Sequence, residues 1–321
     1  MKKALITGIN GQDGSYLAEL LLSKGYEVWG TLKRNSITES QTSRISDLNI
    51  KLEYADMLDM SSLIRVLTLC QPDEIYNLAA QSDVRISFDQ PIYTTQTIAI
   101  GTLNLLEAIR LTCQETKIYQ ASSSEMFGNN IDEDGYQRET TPMSPVSPYG
   151  CAKVYAYNIC RNYRNAYNMF ISNGILFNHE SPRRGTNFVT NKVVKEAVKI
   201  KLGLSETLLL GNLSSSRDWG HAKDYVEAMW LMLQQDSPND FVCSTGKSHT
   251  VRDLVDYVFT KLGLNWEKYV GIDERFYRQE ELQHLKGDCS KIKKQLSWKP
   301  KYTFESMLDE MIEYWMNKLN N

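Results

Sequence analysis

Tyr149 and Lys153 stand four residues apart, just after Ser147-Pro148, and proline suits the first turn of a helix. Helical spacing projects the phenol and the ammonium from one face. A phenol with an ordinary pKa of about 10 is a poor base at neutral pH. A neighbouring cation favours the phenolate and is expected to draw that value toward the working range. A second run, Gln120-Ala121-Ser122-Ser123-Ser124-Glu125, closes an apolar stretch that reads as a buried strand. It adds a hydroxyl at Ser123 and a carboxylate at Glu125, enough for hydrogen bonding and a second proton transfer. Tyr-x-x-x-Lys alone is commonly just a half-buried ring beside a solvated lysine, so the chemistry requires a cofactor site elsewhere in the chain.

The N-terminus supplies one. Ala4-Leu5-Ile6 reads as a strand running into Gly8-Ile9-Asn10-Gly11-Gln12-Asp13-Gly14, then a helix over Ser15 to Lys24 that stops at Gly25, then a strand over Tyr26 to Gly30. This strand–glycine loop–helix–strand unit opens a doubly wound sheet and offers a helix N-terminus to a pyrophosphate. The spacing is Gly-x-x-Gly-x-x-Gly rather than Gly-x-Gly-x-x-Gly. An NAD site would place an acid after the second strand; Thr31-Leu32-Lys33-Arg34-Asn35-Ser36 has two cations and hydroxyls instead, which suit the 2′-phosphate of NADP.

Further strands are expected over Lys51 to Tyr54, Glu74 to Ala80 and Phe170 to Phe177, and helices over Ser61 to Cys70 and Thr94 to Leu111. Asp56-Met57, at the end of the third strand, is placed to read an adenine amino group. Leu78-Ala79-Ala80 is small enough for the chain to pass close to a cofactor. Asn129 to Ser147 reads as a polar surface loop. Beyond Gly185 come helix Val189 to Leu202, strand Leu208 to Leu210, helix Ala222 to Gln234, strand Phe241 to Ser244 and helix Val251 to Leu262. The fold class is therefore α/β, a doubly wound parallel sheet of Rossmann type with a smaller α/β C-terminal portion that holds substrate. Residues 1–180 form the dinucleotide-binding part and 181–321 mainly the substrate part, with the chain crossing between them more than once. Arg183, Arg184, Arg217 and Arg278 sit in loops over the carboxyl edge, where forked donors suit a nucleotide diphosphate.

Length and composition agree. The 321 residues, 42% hydrophobic and 23% charged, describe an ordinary globular chain of about two domains. A net charge of −3 provides no general field for nucleic acid. Six cysteines lack Cys-x-x-Cys spacing and four histidines are dispersed, so neither a disulfide framework nor a metal site is expected. No run reaches membrane-span length and none resembles a signal peptide, which points to a cytoplasmic protein.

With these residues assembled, the chain resembles the GDP-mannose 4,6-dehydratases, within the extended short-chain dehydrogenase/reductases. The likeness runs through Thr7-Gly8 to Ser15, Asn77 to Ser82, Gln120 to Glu125, Ser147-Pro148-Tyr149, Asn173 to Gly185 and Arg217 to Tyr225. It implies Ser123, Glu125, Tyr149 and Lys153 as the catalytic group. It implies NADP held by Gly8, Asn10, Gly11, Gln12, Asp13, Gly14, Lys33, Arg34, Asp56, Met57, Leu78, Ala79, Ala80, Ser82, Lys153, His179 and Arg184. The GDP-sugar, GDP-mannose first among candidates, would be met by Ser82, Asn178, Arg217, Arg278 and Glu281. Pairing through the Thr94–Leu111 and Tyr149–Tyr167 helices is likewise implied, giving a homodimer or homotetramer, with Leu105, Ala108 and Tyr157 serving either that interface or the core. Ser123 stands where the family has threonine, and Asp83 where histidine is usual. Other nucleotide-sugar dehydratases, 4-keto sugar reductases and a non-catalytic NADP-sensing module are the alternatives. Ser124, where deoxythymidine-diphosphate-glucose dehydratases carry aspartate, tells against those enzymes.

Overall fold

The computed structural model describes residues 1–35, 42–277, 280 and 282–320. Its centre is a seven-stranded sheet in the order Phe241–Cys243, Ile171–Leu176, Lys117–Ser123, Glu74–Asn77, Lys3–Thr7, Glu27–Leu32, Lys51–Tyr54. Every pairing within it is parallel. Central parallel strands are covered on both faces, hence the unbroken apolar run Ala4-Leu5-Ile6, all at most 1% exposed. Helices Gln12–Ser23 and Ala222–Leu233 cover one face through Leu17, Leu21, Tyr225 and Met229. Met60–Cys70, Gly101–Thr112 and Pro148–Tyr167 cover the other through Leu63, Leu67, Leu105, Ile109 and Cys160.

Chain order reverses between Lys3–Thr7 and Glu74–Asn77: successive strands are laid first toward Lys51–Tyr54, then toward Phe241–Cys243. Such a switch point leaves a crevice beyond the carboxyl ends of the strands, and there the glycine loop lies. Gly8 adopts φ +68, and a side chain on it would meet the Ala79 Cα at 3.0 Å. A Cβ on Gly14 would lie 2.5 Å from the Gly8 carbonyl oxygen and 2.6 Å from the Ile9 Cα, so the helix packs directly on the loop.

A smaller lobe covers this edge. It is built from helices Val189–Lys201, Val251–Lys261 and Phe304–Asn320 around Val194, Val198, Val258, Phe259, Leu308 and Met311. Three two-stranded pairings tie it together: Asn178–Glu180 with Trp219–His221, Ser216–Arg217 with His249–Thr250, and Leu208–Leu210 with Val270–Ile272. Ala222–Leu233 and Phe241–Cys243 return to the large sheet, so the chain recrosses between lobes after residue 180.

Several expectations need correction. Thr94 to Leu111 is not one regular helix: Pro91–Thr95 passes through a π turn at Gln96–Ile100 into Gly101–Thr112. The fourth strand ends at Asn77 rather than Ala80, and the glycine-loop helix begins at Gln12 rather than Ser15. The Asn129–Ser147 loop is anchored, with Gln137 fully buried and bridged to Gly287. Of the two roles open to Leu105, Ala108 and Tyr157, the core is the one found: each is at most 3% exposed within this chain.

The tight approach at Gly14 yields the first prediction. Gly14→Ala is expected to cost about 1–3 kcal/mol through overpacking, read as a lower urea midpoint. Ala on the open turn at Gly135, which meets nothing within 4 Å but is held at φ +80, should cost only about 1 kcal/mol, from backbone strain alone.

Candidate active site

Ser123 ends the Lys117–Ser123 strand, and a 3-10 turn over Ser124–Met126 follows. The Ser123 hydroxyl accepts the Glu125 N–H at 3.2 Å, fixing the turn that presents the carboxylate. Across from it, Ser147 caps Pro148–Tyr167 by accepting the Gly150 N–H at 3.0 Å, with Pro148 in the first turn. Tyr149 and Lys153 therefore leave that helix one above the other. The Lys153 Nζ lies 5.7 Å from the centre of the Tyr149 ring and donates to the Ala121 carbonyl at 2.7 Å. Ser123 also hydrogen-bonds the phenol, and the Glu125 charge is felt there.

The expected lowering of the phenol pKa does not occur in the protein alone. Burial pushes Tyr149 up to about 12, the Ser123 bond only partly opposing it. Burial pushes Lys153 down to about 8. Desolvation penalises whichever form is charged, so one environment moves the two groups in opposite directions. Helical spacing gives no measure of burial, which is why it misjudged the outcome.

One cavity of about 1340 Å³ receives nearly every expected residue. Gly8, Asn10, Gly11, Gln12, Asp13, Gly14, Lys33, Asp56, Met57, Leu78, Ala79, Ala80 and Ser82 line it together with Ser123, Glu125, Tyr149, Lys153, Asn178, His179, Arg184 and Arg217. Pockets for a single small ligand commonly measure about 300–1,000 Å³, and this cavity is larger. Lys33 lies 3.2 Å from Asp56 and 3.1 Å from the Tyr93 hydroxyl. Asp56 therefore holds a cation, in addition to any contact with a base. Arg184 pairs with Glu180 at 3.2 Å and stacks 3.5 Å over Phe188. Arg217 donates to the Ser216 and Leu282 carbonyls at 2.9 and 3.0 Å. His179 sits between the Phe177 carbonyl and Asp13, at 2.8 Å from each. Asp83 caps Val84–Asp89 and accepts from Asn187, tying two loops of the lining together.

Two expected residues do not line the cavity. The Arg34 guanidinium turns back to the Asn35 carbonyl. Arg183 is committed to Ser15 and Glu19 and stacks 4.0 Å over Tyr16. Arg278 and Glu281 fall outside the described residues. Tyr93, Asn187, Phe188, Lys192 and Phe276 also line the cavity and were not singled out from the sequence. No motif marks them, although Lys192 lies within the expected helix. Among the described residues no cluster of metal-ligating side chains occurs, and no helix is long and apolar enough to cross a membrane.

The sheet order, the glycine turn and the tyrosine–lysine helix define a dinucleotide-binding protein of the short-chain dehydrogenase/reductase class. Solved structures agree: a UDP-glucose 4-epimerase of Thermotoga maritima superposes with TM-score 0.87 at 25% identity, covering 99% of both chains. A dTDP-glucose 4,6-dehydratase of Bacillus anthracis, at 24% identity and TM-score 0.85, shares the fold over 100% of this chain and 98% of its own. Residues 5–311 match the GDP-mannose 4,6 dehydratase family, and the chain belongs to it. GDP-mannose 4,6 dehydratase 2 of Arabidopsis thaliana is 52% identical over 97% of this chain and 86% of its own. GDP-mannose 4,6 dehydratase of Homo sapiens is 50% identical over 96% of this chain and 90% of its own.

The buried lysine gives the second prediction. With a folded pKa near 8 against 10.5 unfolded, the charged Lys153 destabilises the fold below about pH 8, and the cost disappears as pH rises toward 10.5. Lys153→Met is expected to be about 1–3 kcal/mol more stable than the parent at neutral pH. That advantage should vanish by about pH 10, measured by urea unfolding across pH. An equal or lower midpoint at neutral pH contradicts it.

Proposed function

We propose that this chain is a GDP-mannose 4,6-dehydratase, a hydro-lyase that converts GDP-mannose to GDP-4-keto-6-deoxy-mannose with NADP as its resident cofactor. The observation that carries this reading is the meeting of Ser123, Glu125, Tyr149 and Lys153 in one cavity of a chain about half identical, nearly end to end, to curated dehydratases.

The residues present fit the cofactor. The glycine loop leaves no room for a side chain at Gly8 or Gly14, so backbone N–H groups at the start of Gln12–Ser23 are open to a pyrophosphate. Lys33 supplies a cation to the same cavity for a 2′-phosphate, while Arg34 lies outside the lining. NADP, when bound, supplies the hydride acceptor that takes hydrogen from the sugar C4 and returns it at C6.

Tyr149 and Lys153 act as a coupled pair that has lost one proton between them: the phenol oxygen receives the proton of the 4-hydroxyl, and the neutral Lys153 amine takes up the phenol's own proton. Ser123 holds that phenol through its hydrogen bond. Oxidation at C4 acidifies the C5 proton, which Glu125 removes. The same carboxyl then protonates the 6-hydroxyl as it departs as water, so one side chain serves as base and then as acid. Return of hydride to C6 leaves an enolate that is protonated at C5 by the proton the phenol had taken, which restores the pair. Arg217 and Asn178 line the same cavity, and guanidinium donors suit the diphosphate of a nucleotide sugar. The six cysteines, all unpaired, suit a cytoplasmic setting. Exposed Ile92, Ile100, Leu111 and Tyr155 on the Pro91–Thr112 and Pro148–Tyr167 segments supply the apolar face through which a homo-oligomer pairs.

Two outcomes test the reading. Glu125→Gln should lower dehydration of GDP-mannose by at least about 10²-fold, followed by mass spectrometry for loss of one water; undiminished turnover removes Glu125 as the base. The parent's rate should also climb about tenfold per pH unit up to roughly pH 8, where the Tyr149–Lys153 pair sheds its first proton. A flat profile between about pH 6 and 8 contradicts that assignment.

A further inference from the structure

We propose that His179 is a buried imidazolium whose task is to neutralise Asp13, so that the glycine loop can receive the anionic pyrophosphate of its dinucleotide. This makes His179 a positioning residue that acts through Asp13 rather than on the reacting atoms, and it rests on the cofactor reading above.

Hydrogen-bond geometry carries the argument. Nδ1 lies 2.8 Å from the Phe177 carbonyl oxygen and Nε2 lies 2.8 Å from Asp13 Oδ2. A neutral imidazole has one N–H and one lone pair, and here the lone pair would face an acceptor oxygen at whichever nitrogen carried it. Two protons on the ring satisfy both contacts. The one neutral arrangement would keep the shared proton on Asp13. Three features oppose it: the carboxylate lies in the first turn of Gln12–Ser23, at the positive end of the helix, its Oδ1 accepts from Gln12 Nε2 at 3.1 Å, and the Arg184 charge bears on it. The titration directions agree. Burial alone would push His179 down, yet the Asp13 charge and bond hold it above its ordinary value. Burial would raise Asp13, and the imidazolium holds it below the usual carboxylate range.

The sequence creates the problem that this pair solves. Gly11-Gln12-Asp13-Gly14 places a carboxylate inside the loop that must accept two phosphates. Left alone, it would repel them and consume the helix's own positive potential. The imidazolium cancels that charge without occupying the cradle, and it is held rigidly. His179 belongs to the Asn178–Glu180 strand, stacks on Tyr225 with ring centres 4.5 Å apart, and its carbonyl accepts from Gln12 at 3.1 Å. Ser181 donates to the same Gln12 at 2.7 Å. Of the other groups that face the pair, Arg184 bears on both members, and Lys153, Tyr149, Tyr119 and Cys243 feel the Asp13 charge. Burial keeps Tyr119 and Cys243 neutral across the working range, so above neutrality the changing charges are those of His179 and the Tyr149–Lys153 pair.

Nitrogen-15 spectra of the unliganded chain test the protonation state directly. With four histidines, His179 is assigned by the signals lost in His179→Gln. The expected result is a ring protonated at both nitrogens at about pH 7, where an ordinary histidine is mostly neutral. A neutral ring at that pH overturns the proposal. Binding of NADPH, followed by its fluorescence, tests the role. His179→Gln should weaken binding about tenfold, and adding Asp13→Asn to that variant should recover most of the loss. A double variant no better than His179→Gln would show that His179 does not work through Asp13. Failure of the parent to bind NADPH would instead remove the cofactor reading, and this role with it, while the spectra still report the ring's charge.

Discussion

Three buried polar side chains at the carboxyl ends of adjacent strands keep the crevice of this protein open. Thr7 donates to Asn77 Oδ1 at 2.7 Å, and Asn77 Nδ2 donates to Gln120 Oε1 at 2.8 Å; each of the three is at most 3% exposed. The Thr7 oxygen also accepts the N–H groups of Leu78 and Ala79 at 3.0 and 3.1 Å. Polar groups buried this deeply are costly unless each finds a partner, and here they find one another. As a result the chain leaving the fourth strand is folded against the start of the glycine loop, and Leu78, Ala79 and Ala80 become a wall of the cavity. Gly8 must lack a side chain because that wall presses on it.

Around this frame the cavity trades stability for chemistry. A phenol raised to about 12 and an ammonium lowered to about 8 both register the same removal from water. Neither shift stabilises the fold, and together they spread two proton affinities that nearly coincide in water, so the ammonium rather than the phenol is the first of the pair to lose its proton. Asp218 is a contrasting case. Burial raises it to about 6, yet it accepts from the Thr245 N–H and hydroxyl at 2.9 and 2.7 Å and from the Gly246 N–H at 2.9 Å. Its work is structural: it anchors the Thr245–Gly246 turn to the strand end next to Arg217.

The parts of this arrangement that were legible in the sequence are those dictated by local rules. A glycine loop between a strand and a helix, a proline-led helix carrying Tyr149 and Lys153, and apolar runs for central strands all express short-range constraints. What escaped depends on contacts between distant segments. The π turn at Gln96–Ile100 precedes Gly101, where a Cβ would sit 2.7 Å from the Met57 Cβ, a packing demand that propensity cannot reveal. Arg34 and Arg183 look like phosphate ligands until one sees that their guanidinium groups are turned to other partners. Tyr93 carries no motif, and its place beside Lys33 is set by a contact 60 residues apart. The C-terminal helix is a different kind of omission. Phe304, Met307, Leu308, Met311, Ile312 and Trp315 repeat at helical spacing, a signal that was present and passed over.

The reaction also explains why the two lobes are interwoven rather than merely adjacent. A dehydration with no net oxidation must return to its product the hydride it removed, so one cofactor molecule has to stay in place between the two transfers. Lobes joined by a single linker would open readily. In this chain the polypeptide returns from the smaller lobe to the sheet at Ala222–Leu233 and Phe241–Cys243, and the Asn178–Glu180 strand pairs with Trp219–His221 just before that return. Asn178, His179 and Glu180 thus bind the glycine-loop helix, the Arg184 loop and the smaller lobe into one wall of the cavity. Opening it would break parallel pairing and buried hydrogen bonds together, a barrier that favours holding the cofactor through both halves of the cycle.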